Sequence, residues 1–201
     1  MASAPDAVPQ PRAVLRYNNV AVFLHWLTAL LVLAQVYVGF TFAGMERGPA
    51  RGEWFTWHKT LGLTILLLAI VRLIWRLTHK PPPFPPELPR WERLAAVWNH
   101  RAFYMLLLAL PLTGLLAISG GADQATTALL GNIRVPLIPG IPEAAGDGAG
   151  EVHELLVLVT LALLVLHVGA ALKHQLGDRT RSEGRMPPFR QRDRTPTVPR
   201  D

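Results

Sequence analysis

Residues 151–174, EVHELLVLVTLALLVLHVGAALKH, hold three histidines in a stretch that is otherwise almost entirely aliphatic. An ionisable side chain at membrane depth is costly and marks a candidate functional site, and neutral imidazole is a ligand for metal ions and haem iron. His153 and His167 stand 14 residues apart. On a helix this is about 21 Å of rise, and fourteen steps of 100° fall about 40° short of four full turns, so the two rings share a face. His25 and His58 lie in other apolar stretches, whereas His79, His100 and His174 fall at stretch ends among arginines and lysines. The chain has 7 histidines and no cysteine. That excludes disulfides, iron–sulfur ligation, thiol chemistry and the covalent attachment of a c-type haem, which needs C-x-x-C-H.

The elements that must position these rings are legible from charge. Of the 201 residues, 50% are hydrophobic, and no Asp, Glu, Lys or Arg occurs in residues 17–45, 60–71, 102–122 or 155–172. About 20 apolar residues cross a bilayer. The pattern predicts an all-α integral membrane protein, a four-helix transmembrane bundle with spans at about 20–42, 57–77, 103–121 and 152–172. The first is longer than a signal-peptide core and carries His25 and Gln35, so it reads as a retained span. The formal charge of +6 is sorted by loop rather than spread as a nucleic-acid footprint. Sixteen of the 20 Lys and Arg residues fall on the side with both termini and the second loop, and four (Arg47, Arg51, Lys59 and Arg134) on the other. The positive-inside rule then puts both termini of a multi-pass membrane protein in the cytoplasm.

The chain divides into a cytoplasmic tail at 1–16, one membrane domain at 17–178 and a basic cytoplasmic tail at 179–201, too polar to build a core and expected to be disordered. The second loop opens with HKPPPFPPELP, an extended proline connector. RWERLAAVWNHR follows, with Trp91, Leu94 and Trp98 on one helical face, and reads as a short helix lying in the interface. Residues 121–150 are rich in Gly and Pro without periodicity and read as an irregular loop or lid.

With this topology the histidines sort by depth. Spans two and four begin on the outer side, so His58 and His153 are outer. Span one begins on the inner side and span four ends there, so His25 and His167 are inner. Each pair comes from two helices, the arrangement that grips a flat macrocycle at both axial positions. Two such pairs predict two b-type haems, each six-coordinate with no open iron position. A lone intramembrane histidine can instead bond a backbone carbonyl. A zinc site wants four converging ligands, and the pairs are about 20 Å apart. A proton relay recruits intramembrane carboxylates, which these spans almost wholly lack.

Other residues have two readings each. Arg72, 14 residues after His58, lies on nearly the same face and either pairs with a haem propionate or anchors the helix end. Arg76 reads as an anchor. Lys59, Arg47 and Arg51 sit near the outer histidines and offer a local attraction for an anion. The outer side as a whole has seven acidic against four basic residues, so only a patch within a Debye length of about 8 Å can steer. The six tryptophans fall mostly at span ends as an interfacial belt. Gly39, Gly62, Gly114 and Gly169 permit close approach of a helix or cofactor, and Pro111 kinks the third span.

The stretches VFLHWLTALLVL, WHKTLGLTILLLAIVRLIWRL, VHELL and LHVGAALKHQ, with the proline-rich second loop, resemble the bacterial cytochrome b561 family over residues 17–178, all four spans in order. The resemblance implies a four-helix inner-membrane protein with two b haems held by histidines of helices one, two and four, which fall here on His25, His58, His153 and His167. It also implies electron exchange with quinones and, in one branch, oxidation of superoxide with reduction of ubiquinone. His174, seven residues after His167, is then a candidate donor or proton carrier for a quinone, or else an interfacial histidine. Bound partners would be the lipid bilayer, a quinone, and superoxide or another electron donor, with no nucleic acid and no obligatory protein partner. Two alternatives remain open at this stage: an electron-transfer subunit of a larger dehydrogenase or hydrogenase, and a haem-free carrier of protons or metal.

Overall fold

Four long helices carry the chain: α1 Asn19–Ala43, α2 Pro49–Thr78, α3 Arg90–Ser119 and α4 Glu143–Leu176. The computed structural model describes residues 16–84, 88–176 and 185–186. All four helices are long and apolar enough to cross a membrane. At 25, 30, 30 and 34 residues they run about 37–51 Å, past a hydrocarbon core of about 30 Å and into both interfaces.

Local chemistry sets the ends. The Asn18 side chain caps α1 by accepting from the Ala21 amide at 2.8 Å, and Gly44 follows the last turn. Pro49 opens α2, where its missing N–H costs nothing. After His79 the run Lys80-Pro81-Pro82-Pro83 cannot continue a helix. Pro89 precedes α3, which ends at Gly120. There α3 and α4 cross at their closest, because a Cβ on Gly120 or Gly146 would run into the other's backbone.

Side-chain contacts give the helix directions. Arg72, late in α2, reaches His25, early in α1, and Gln35, late in α1, reaches His58, early in α2. Lys173 of α4 pairs with Glu92 of α3, and His153 of α4 meets Gly114 of α3. Neighbours are therefore antiparallel. The bundle has a terminal end, where Tyr17 donates its backbone N–H to the Arg185 carbonyl at 3.2 Å, and a hairpin end. The interior is thin: Ile65, Ala69 and Leu107 are buried, with Leu31, Val32 and Leu108 packed against them. Most large apolar side chains, Phe23, Leu30, Leu67 and Val165 among them, face outward, as the lipid solvent requires.

Three segments differ from their sequence reading. Residues 91–98 are not a separate interfacial helix but the first turns of α3. Nothing between Trp98 and Phe103 breaks a helix, and the Trp91, Leu94 and Trp98 stripe stays exposed on the outside of the bundle. The Gly-rich stretch 144–150 is helical, the start of α4. Its packing against α3, with Ala149 buried, outweighs the poor helix propensity of glycine. Within 121–142 the chain forms an antiparallel hairpin, Thr126–Ala128 (β1) with Arg134–Pro136 (β2), pairing Thr127 with Val135. Gly131 and Asn132 turn it with φ of 72° and 57°, the left-handed region these residues tolerate. The hairpin docks on α2 through Lys59 Nζ to Thr127 Oγ1 at 2.7 Å and the Leu130 amide to Thr60 Oγ1 at 3.1 Å. Of the tail expected to be disordered, all but residues 185 and 186 lies outside the described residues, as do residues 1–15.

Candidate functional site

Four histidines meet in two pairs. At the hairpin end the His58 and His153 rings have centroids 6.1 Å apart and planes inclined by 74°. At the terminal end His25 and His167 are 6.2 Å apart at 59°. Along α4 the two levels are separated by fourteen residues, about 21 Å. An imidazole nitrogen binds a metal ion at about 2.0–2.1 Å and lies about 1.1 Å from its ring centroid, so rings on opposite sides of one ion have centroids roughly 6.3 Å apart. Both pairs are set at that spacing. Among the described residues no three His, Asp or Glu side chains are set to hold one metal ion between them. The donor set therefore suits a group that brings its own equatorial ligands and asks two imidazoles of the protein.

The hairpin-end pair has neutral hydrogen-bond partners. His153 Nδ1 lies 2.9 Å from the Leu110 carbonyl and 3.2 Å from Thr113 Oγ1. A carbonyl only accepts, so Nδ1 carries the proton and Nε2 keeps its lone pair, the tautomer a metal needs. Gln35 donates from Nε2 to the His58 carbonyl at 3.1 Å and approaches His58 Nε2 at 3.3 Å. Two buried polar atoms here have no hydrogen-bond partner, His58 Nδ1 and Gln35 Oε1, so the site's polar inventory is incomplete until something binds. Glycine makes the space. A Cβ on Gly39 would come within 3.3 Å of His58 Cε1, one on Gly114 within 3.3 Å of His153 Cε1, and one on Gly62 within 3.4 Å of Gln35. Phe42 covers His58 from the edge at 5.0 Å.

The terminal-end pair sits among cations and imidazoles. Arg72 Nη2 is 2.9 Å from His25 Nδ1, and its guanidinium lies 5.7 Å from the Tyr104 ring centre. Arginine is only a donor, so His25 Nδ1 must be the acceptor. A neutral His25 ligating through Nε2 would need a proton on Nδ1, so ligation there releases Arg72 for an anion. His100, which donates from Nδ1 to the Ala96 carbonyl, stands edge-on to His167 at 5.5 Å, as does Phe103. Trp26 packs on His25 at 5.4 Å.

The four predicted ligands and Arg72 are thus brought together by pairs. His174 faces α3, with Nε2 3.5 Å from Glu92 Oε2, while Lys173 Nζ holds Glu92 Oε1 at 2.9 Å. Lys59 stands beside His58 but is tied to Thr127, and Arg51 donates to the Phe42 carbonyl at 3.1 Å. Gly169 meets nothing within 4 Å of a would-be Cβ. Sequence reasoning gave no site role to Gln35, Thr113 or His100. The signals were faint: a lone amide in an apolar span, and a histidine assigned to the interface that lies ten residues past the start of α3.

A family model described as "Prokaryotic cytochrome b561" matches residues 16–188. The chain is similar to "Cytochrome b561 homolog 2" of Escherichia coli (strain K12), 29% identical over 175 residues that cover 85% of this chain and 90% of that one. It is 30% identical to "Cytochrome b561 homolog 1" of the same organism over 188 residues, 87% of this chain and 98% of the other. "Probable superoxide oxidase CybB" of Yersinia pestis is 28% identical over 169 residues, covering 79% and 88%.

Proposed function

The chain belongs to the prokaryotic cytochrome b561 family, a family of membrane electron-transfer cytochromes with b-type haem, and from that premise we propose that it is a di-haem quinone-linked oxidoreductase of the bacterial inner membrane with both termini cytoplasmic. His58 and His153 would hold the outer haem, and His25 and His167 the inner one. The observation that carries the reading is the pairing itself: two ring separations of 6.1 and 6.2 Å, each between different helices, at opposite ends of the bundle. A haem held between two imidazoles supplies one-electron, outer-sphere chemistry and leaves no iron position for oxygen or substrate.

The protein's residues would do the rest. The Leu110 carbonyl fixes the His153 tautomer and ring orientation. Arg72, freed from His25 if that ring ligates, would be available to pair with a propionate. Arg51 and Lys59 at the hairpin end attract an anion over short range, which suits superoxide, the substrate named for the Yersinia relative. His174, beside Glu92, would pass protons or a hydrogen bond to a ubiquinone at the terminal end. The reaction balances: two superoxide anions each lose one electron and leave as dioxygen, and one ubiquinone takes two electrons and two protons.

Optical spectra of the detergent-purified chain, oxidised and reduced, with a haem-to-protein ratio, test this directly. Two low-spin b haems per chain are expected. No haem after haem-replete expression overturns the reading. Superoxide generated beside the reconstituted protein is expected to reduce it, and failure to do so removes that substrate while leaving the cytochrome assignment intact.

A further inference from the structure

At the terminal end a cavity of about 270 Å³ opens between the entry to α1, the last turns of α2, the proline loop and α3. Arg16, Arg72, Arg76 and Lys80 line it, with His79 and His100, and no Asp or Glu is among its described lining residues. Four cations converge from two segments of chain, Arg16 ahead of α1 and Arg72, Arg76 and Lys80 at and just past the end of α2. Arg16 donates to Asn19 Oδ1 and Arg72 to His25, both neutral acceptors. Among the described residues no carboxylate pairs with any of the four. A fifth cation, Arg185, is drawn to the same rim. Its Nη2 donates to the Pro82 carbonyl, its guanidinium lies 5.0 Å from the Phe84 ring centre and 5.6 Å from that of Tyr17, and Met186 closes one wall.

Orientation-setting cations sit singly at helix ends, each solvated by headgroups and water. Cations gathered around a concave space repel one another, and that cost is relieved only by an anion among them. Only Arg72 reaches the histidine pair. Arg16, Arg76 and Lys80 lie on the far side of the cavity, toward the loop and the membrane surface, so the site goes beyond what the cytochrome reading uses. Guanidinium forks match the oxygens of phosphate bidentately, and the lysine ammonium adds a point charge. Basic pockets between membrane helices at the bilayer surface are the setting in which acidic headgroups bind.

We propose that this cavity is a binding site for a phosphate-bearing anion, either the headgroup phosphate of an anionic phospholipid in the adjoining leaflet or free phosphate. Arg16, Arg76 and Lys80 supply the charge, and Arg72, on the side of the histidine pair, is left to the cytochrome reading.

The test uses the full chain in detergent, with thermal unfolding followed by circular dichroism and bound lipid counted by native mass spectrometry. The probes are phosphatidylglycerol, phosphatidylcholine, sodium phosphate, and sodium chloride at matched ionic strength. A probe at about a hundred times its dissociation constant should raise the midpoint by about 5–10 °C. Response to phosphatidylglycerol and not to phosphate identifies the lipid. An equal response to phosphate identifies the free anion. Response to neither beyond the chloride control, or an equal response to phosphatidylcholine, overturns the proposal. The double variant Arg76→Gln/Lys80→Gln should lose the shift and weaken binding at least tenfold (about 1.4 kcal/mol), with haem absorbance unchanged. Retention of the shift overturns the proposal, as does loss of haem absorbance with an undiminished anion response. Arg16→Gln, outside the helices, gives the same reading if the double variant fails to fold.

Discussion

The two histidine pairs share one geometry and differ in everything around it. Ring separations agree to 0.1 Å, yet the hairpin-end pair is surrounded by an amide, a threonine hydroxyl and a carbonyl, and the terminal-end pair by a guanidinium and a third imidazole. Among the described residues, glycines press against both hairpin-end rings and against neither terminal-end ring. With histidine the proposed ligand at both ends, the surrounding charge and hydrogen bonding are left to set the potentials apart. A fixed positive charge stabilises the electron-rich state, and Arg72 supplies one only at the terminal end. The physical expectation is a higher potential there, with electrons running downhill from the hairpin end.

The ligands themselves break the comparison most completely. His58→Ala and His25→Ala should each lower the haem content from two per chain to one, measured by reduced-minus-oxidised absorbance against protein concentration. The haem that remains in each single variant should show one midpoint potential, and the two should differ, with the lower belonging to His25→Ala. Equal midpoints would remove the asymmetry argued here. Removal of both haems by either substitution would mean that the two levels fold as one unit.

Arg72→Gln sharpens the comparison from the terminal end. A hydrogen bond to a charged group is worth about 1.5–3 kcal/mol, which is on the order of 60–130 mV for one electron. Removal of the positive charge disfavours the reduced state, so the inner potential should fall by that amount. The outer potential, about 21 Å away, should move less, because the Coulomb interaction falls with distance. Redox titration of the two components separates these outcomes.

Much of this was legible before any coordinates. The charge-free stretches mark the four spans because a charge cannot be left in hydrocarbon, and the same cost makes four histidines inside them conspicuous. Their depths follow from a rise per residue and an alternating topology. What surrounds each ring was not legible, since Gln35, Thr113 and His100 act across helix–helix contacts that no spacing along one helix encodes. The start of α4 was hidden for a related reason: residues 144–150 look like a loop until Gly120 and Gly146 are seen to cross. Gly39, Gly114 and Gly169 look alike in the sequence, and only the packing shows that two of them touch a ring and one touches nothing.

That glycine contrast gives the next prediction. Gly114→Ala places a methyl 3.3 Å from His153 Cε1, tight enough that ring or helix must shift, at about 1–3 kcal/mol for an overpacked site. Haem retention at the hairpin end should weaken by roughly five- to a hundredfold on dilution or washing, with the terminal-end haem unaffected. Gly169→Ala should retain both haems and, by helix propensity, gain up to about 1 kcal/mol in stability. If the two substitutions behaved alike, glycine contact would not be what distinguishes the ends.

The smallest effect tests whether the hairpin end is truly governed by neutral hydrogen bonding. Gln35 is uncharged, donates to the His58 carbonyl and approaches the ring nitrogen at 3.3 Å, a long contact. Its replacement by leucine of similar size removes those bonds and also removes a buried acceptor, Oε1, that has no hydrogen-bond partner. The two effects oppose each other. The loss of a neutral bond costs about 0.5–1.5 kcal/mol, whereas the loss of an unsatisfied polar atom is favourable by a similar amount. Stability should therefore change little in Gln35→Leu. The outer potential should still move, by about 20–60 mV, because the hydrogen bond acts on the ring electronics while the orphaned oxygen does not. A shift as large as that of Arg72→Gln would mean that an amide dipole matters as much as a buried charge, and the contrast between the two ends would then lie in geometry rather than electrostatics.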